Sequence, residues 1–323
     1  KLTGYFKYCS NDTNVINGVF RNHKIRFTQP AALNDPLEFN PIIRFENNGA
    51  NYNWFSLNGI PLPSEESRLR HGLIEQQINA FGVLSLTKNP DSFDMWSRYA
   101  NGHKGFLIEF KSDLNKHPCM LSQSNEVYPI REVQYVDEYA INIDELIDNE
   151  GQIQFEIFKD HMFYSKLSRW ETEQEYRIVR PFSDLPDYKP LTNKAHRDKR
   201  IHLFKFSLDC IESVTFGACM SLEDRESIKE ACKNSKIDFL QAIIIRDEKD
   251  ALRKVPKINL QSVDSLPRSF RMRPLPFIIE TEHFEDIRRV KPISSLSELP
   301  YCEDDRQWAE QVYEIAKAKY KKK

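Results

Sequence analysis

Glycine is scarce in this 323-residue chain, with ten in all, and the scarcity removes whole classes of enzyme. No glycine precedes a lysine, so the P-loop, whose glycine-rich backbone cradles phosphates, is absent. No G-x-G-x-x-G opens a Rossmann dinucleotide site, and neither an H-E-x-x-H helix nor a G-x-S-x-G elbow occurs. Any nucleotide handled here must therefore be held by side chains in a cleft. Charge excess is lacking too: 46 Lys+Arg against 48 Asp+Glu leave a net charge of −2, so the chain as a whole is not a polycation. No run approaches the ~20 apolar residues that cross a bilayer, and no membrane partner is expected. The six cysteines, at 9, 119, 210, 219, 232 and 302, form no C-x-x-C pair. That spacing suits neither a zinc knuckle nor a disulfide framework, and scattered thiols point to a cytoplasmic location. What the chain has in plenty is aromatic residues, at 12%.

The length suits one large domain or two small ones. Alternating or apolar runs predict strands at 4–8, around Ile25 and Phe27, and at 81–87, 105–111, 131–136, 173–180, 201–206, 211–217 and 239–245. Helical stripes are predicted after a cap at Ser10 or Asp12 and at 65–80, 92–101, 152–168, 222–234 and 303–319. The mixed order, without a regular βαβ rhythm, favours an α+β fold of mostly antiparallel mixed sheets with packed helices. Prolines 256, 267, 274, 276, 292 and 300 interrupt every later element. The expected organisation is a main domain over 1–255 and a proline-rich wrapping segment with a final helix over 256–323.

Three stretches could carry chemistry. In WETEQEYR (170–177), strand alternation would project Glu173, Glu175 and Arg177 to one side. Two such carboxylates repel, which raises one pKa and lets them divide acid–base work; the structural reading is a solvated sheet face in which Arg177 offsets two acids. In MWSRYANGHKGFLIEF (95–110), Trp96 and Tyr99 share a helical face, and Gly102 and Gly105 bracket His103-Lys104. That set suits an anionic planar ligand, against the reading that both aromatics are core. Third, Asp91, Glu109 and Lys111 spell a PD…E-x-K arrangement, the signature of a metal-dependent nuclease. Basic clusters at 194–200, 268–273, 288–291 and the terminal KYKKK are otherwise solvated faces that could reach phosphates.

Taken in order, YFKY, RFTQPAALNDPLEF, FGVLSLT, MWSRYANGHKGFLIEF and WETEQEYRIV resemble the uncharacterised bacterial domain-of-unknown-function family 2971 over residues 4–250. One departure is Cys9, where the family has arginine after YKY; Lys7 or Arg26 would have to supply that cation. The layout is more distantly similar to ADP-ribosyltransferases, which hold NAD without a Rossmann loop. In that superfamily a first strand carries a polar residue, a second carries Ser or Thr near an aromatic, and a later strand carries E-x-E.

The resemblance implies an NAD-consuming ADP-ribosyltransferase-like enzyme, of the toxin or phage-defence kind, with NAD as substrate and no tightly bound cofactor or metal. Glu175 would hold the ribose hydroxyl and Glu173 the acceptor nucleophile. Tyr99 would stack on nicotinamide, while His103, Lys104 or Arg177 would face the pyrophosphate. Tyr8, Asn34, Ser85 and Trp96 would line the cleft. A protein or nucleic acid would accept the transferred group. The alternatives are the nuclease and a non-catalytic nucleic-acid- or protein-binding module.

Overall fold

A computed structural model describes residues 4–35, 37–44, 51–52, 77–114, 128–142, 144–146, 148, 154–188, 201–246, 257–266 and 278–280. Its strands in chain order begin with β1 (Tyr5–Cys9), β2 (Lys24–Phe27), β3 (Ile42–Arg44), β4 (Asn51–Tyr52), β5 (Phe81–Thr87) and β6 (Phe106–Phe110). There follow β7 (Arg131–Glu132), β8 (Gln134–Val136), β9 (Ala140–Asn142), β10 (Ser165–Leu167) and β11 (Glu175–Pro181). The last are β12 (His202–Lys205), β13 (Ile211–Phe216), β14 (Asp238–Arg246), β15 (Lys257–Ser262) and β16 (Ile278–Glu280). With the helices among them, this is an α+β protein whose strand pairs are mixed and mostly antiparallel.

The chain divides into two compact, interleaved units: 1–23 with 89–112 and 207–323, and 24–88 with 113–206. In the first, β1 and β13 flank β6 antiparallel, β14 runs parallel to β13, and β15 and β16 both pair with β14. β6 is buried along its whole length, as a strand with apolar neighbours on both faces must be. The helix Phe93–Tyr99 starts at Ser92, whose hydroxyl accepts from the Met95 N–H at 3.3 Å. Its Trp96 is fully buried with Phe6, Leu107, Ala242 and Ile244, and meets Tyr8 edge-on at 5.2 Å. Backbones approach closely here: a Cβ on Gly217 would run into the carbonyl of His103, and one on Gly105 into that of Cys9. The expected boundary at 255 falls between β14 and β15, neighbours in one sheet.

In the second unit β11 lies between β5 and β7, antiparallel to both. Smaller pairings surround it: β10 with β8, β12 with β2, and β3 between β4 and β9. The helix Phe155–Tyr164 presses Phe158, Met162 and Phe163 onto Val83 and Val179. The expected helix over 152–168 ends early because Ser165–Leu167 leaves it to pair with β8. The helix expected at 222–234 forms over Leu222–Ala231, with Ser221 accepting from the Asp224 N–H. Most of the stripe at 65–80 and the whole helix at 303–319 lie outside the described residues.

Candidate functional site

The NDP turn and the WETEQEYR segment meet within the second unit. Asp35, buried, accepts from the Leu37 N–H at 3.0 Å, which closes an Asx turn. Its carboxylate also takes the indole N–H of Trp170 at 2.6 Å and the Arg169 guanidinium at 2.9 and 3.1 Å. Burial raises its pKa, but these hydrogen bonds and Arg169 outweigh burial and hold it below the ordinary value. One turn onward, Glu38 reaches Arg177.

Arg177 has no exposed surface. Its Nε donates to Glu175 Oε1 at 2.7 Å, one terminal nitrogen to the Phe163 carbonyl at 2.7 Å, and the other to Glu175 Oε2 at 3.0 Å and to Glu38. Lys166, from β10, completes the cluster: its Nζ lies 2.8 Å from Glu173 Oε2 and 2.7 Å from Glu175 Oε2. The Tyr135 hydroxyl, from the register position opposite Lys166, accepts from the Glu175 N–H at 2.8 Å.

The carboxylate pair thus exists, but not as strand alternation predicts. Glu173 ends a 3₁₀ turn (Ser168–Glu173), Gln174 is left-handed at φ 46°, and the strand begins only at Glu175. The two carboxylates converge because both turn to Lys166. The expected mutual repulsion is offset by two buried cations. Burial raises the Glu175 pKa, yet Arg177 and Lys166 overcome this and hold it at about 2. Burial pushes Glu38 up, ahead of the opposing pull of Arg177. Glu175 is therefore a fixed anion at neutral pH.

A pH dependence follows. A carboxyl whose folded pKa lies below its unfolded value contributes its full stability above the ordinary 4.5 and loses it as pH falls toward about 2. Glu38, shifted the other way, offsets part of that loss. Denaturant midpoints measured across this window should fall more steeply for the native chain than for Glu175→Gln. Parallel curves would contradict the assignment.

Ser85 and Thr87 stand on β5 directly opposite Arg177 and Glu175 of β11. The Thr87 hydroxyl donates to the Glu173 carbonyl at 2.5 Å. Asn34 is exposed at the turn. Arg177, with its guanidinium enclosed, positions Glu175 and cannot face a pyrophosphate.

The remaining predicted residues belong to the first unit. Trp96 is 0% exposed and gives its indole N–H to the Pro90 carbonyl, so it is core and offers a ligand no face. Tyr8 is buried and donates to the Asn89 carbonyl at 2.8 Å. His103, at φ 65°, packs its ring against Phe93 and parallel to Trp96. Among the described residues neither buried ring nitrogen has a hydrogen-bond partner, and burial lowers its pKa, which favours the neutral ring. Tyr99 is half-buried and Lys104 exposed. Cys9 is buried and burial pushes its thiol up to about 11, so this position supplies no cation. Of the nuclease set, Glu109 is buried and accepts from the Gly4 N–H and the Ser213 hydroxyl. Among the described residues no three His, Cys, Asp or Glu side chains group as metal ligands.

Residues 95–178 match the model of a family described as Protein of unknown function (DUF2971). Over that stretch, about a quarter of its length, the chain is similar to this family. The match bears out the resemblance carried by MWSRYANGHKGFLIEF and WETEQEYRIV. No curated protein and no solved structure matches the chain. Among the described residues, no helix is long and apolar enough to cross a membrane. Sequence reasoning missed Asp35, Glu38, Lys166 and Tyr135 as members of the site. Asp35 and Glu38 had a signal, since both lie in the NDPLEF segment; Lys166, a single lysine after an aromatic run, had none.

Proposed function

We propose that this chain is an NAD-consuming ADP-ribosyltransferase-like enzyme with Glu173 and Glu175 as its carboxylate pair. The supporting observation is that both carboxylates converge on one ammonium, at 2.8 and 2.7 Å, beside the strand that carries Ser85 and Thr87. Two carboxylates directed at one positive charge suit an oxocarbenium-like ribose. The bond from ribose C1′ to the nicotinamide nitrogen breaks, and nicotinamide leaves neutral with the bonding pair. Glu175 stabilises the positive charge left on the sugar and accepts a hydrogen bond from a ribose hydroxyl. An acceptor oxygen or nitrogen then bonds to C1′, and its proton passes to Glu173. Lys166 balances the pair and yields one carboxylate oxygen to the sugar. Arg177 holds Glu175 in its rotamer. With a protein or nucleic acid as acceptor, such an activity suits a toxin or a phage-defence effector.

The test is to incubate the purified chain with NAD and water, protein or nucleic acid as acceptor, and to follow free nicotinamide chromatographically. Nicotinamide should appear in step with NAD loss, with ADP-ribose free or on the acceptor. NAD left intact with every acceptor would overturn the reading.

A further inference from the structure

The two-stranded ribbon β2–β12 sorts its side chains cleanly by face. Ile25, Phe27, His202 and Phe204 are buried, whereas Arg26, Leu203 and Lys205 are exposed and Lys24 is partly so. Register places Lys24 directly opposite Lys205 and Arg26 opposite Leu203, so three cations share the outer face. Like charges directly opposite each other cost stability, and among the described residues no acid neutralises these three. Two large apolar side chains stand exposed among them, Ile201 at 63% and Leu203 at 38%.

We infer that the outer face of β2–β12 docks the phosphate backbone of a nucleic acid. Along β2, Lys24 and Arg26 are spaced by two residues, roughly 6.6–6.8 Å, and the paired strands lie about 4.8 Å apart. This is a grid of cations suited to a polymer whose anions repeat closely. Counterion release from such a polymer rewards each cation separately, so a nearly neutral protein gains from a local patch. The apolar Leu203 opposite Arg26, and Ile201 just before the strand, suit sugar and base surfaces. An anionic membrane is the weaker match, because the patch lies on a two-stranded ribbon and not on an amphipathic helix. This inference is independent of the transferase reading.

The test compares the full chain with the triple variant Lys24→Gln, Arg26→Gln, Lys205→Gln by fluorescence anisotropy. The probes are a labelled single-stranded oligonucleotide and a labelled duplex, over 50–200 mM salt. Wild-type affinity should fall linearly with log salt. The variant should bind more weakly, with a slope shallower by about 2 on the single strand or about 3 on the duplex. Its circular dichroism should match wild type, since the replaced side chains lie on the outer face. Identical slopes and affinities in the two proteins would overturn the inference. So would wild-type binding only to anionic phospholipid vesicles, or no salt-dependent binding to either oligonucleotide.

Discussion

Replacing Arg177 with methionine should destabilise the protein by about 3–5 kcal/mol, the range for removing one partner from a buried ion pair. The side chain is 0% exposed and its guanidinium bonds Glu175, Glu38 and the Phe163 carbonyl. Methionine fills much of the volume but supplies no donor. Glu38 then loses the guanidinium it pairs with, Glu175 keeps Lys166, and the Phe163 carbonyl loses this donor. Adding Glu38→Gln to Arg177→Met should recover part of the loss, because it removes the uncompensated buried anion. Arg177→Lys should fall between, since an ammonium cannot form the planar fork. Denaturant midpoints at neutral pH measure the series, and a shift below about 1 kcal/mol for Arg177→Met would contradict it.

Under the proposed chemistry, Glu175→Gln should lower nicotinamide release by about 10²–10³, the usual cost of losing one preorganised electrostatic stabiliser. Glutamine keeps an oxygen that can accept from Arg177 but removes the charge that the developing sugar cation needs. Glu173→Gln should act differently. As base for the acceptor, it should depress transfer to a macromolecule by about 10²–10⁴ while leaving hydrolysis by water less affected. Both variants need near-ultraviolet circular dichroism to confirm native packing. Equal, small effects of the two changes on both reactions would remove the carboxylates from the chemistry and leave them a structural role.

Much of the fold was legible because its signals are local. The apolar run FGVLSLT forms a strand over the same seven residues, and Ser92 and Ser221 cap the helices that their spacing announces. Misses occurred where a distant partner decides. Ser165–Leu167 reads as helix with the aromatic run before it, yet a parallel partner at Gln134–Val136 draws it into a strand. The E-x-E spacing identified the correct carboxylates by an incorrect local geometry, since the left-handed Gln174 separates Glu173 from the strand. The convergence of Glu38, Lys166 and Arg177 joins three separate segments, and no periodicity encodes that. A chemical hint was present: buried carboxylates require buried cations, and Arg177 alone cannot balance Glu38, Glu173 and Glu175. The histidine in the Gly-His-Lys-Gly turn drew attention as a ligand contact, whereas its ring is neutral core packing.

The joining of the NDP turn to the E-x-E strand through Glu38 and Arg177 underlies both the stability and the proposed chemistry. A double-mutant cycle with Glu38→Gln and Arg177→Met, read as unfolding free energies at neutral pH, tests it most directly. A coupling of more than about 1.5 kcal/mol is expected for two groups in one buried network. Additivity within about 0.5 kcal/mol, the behaviour of independent sites, would contradict it.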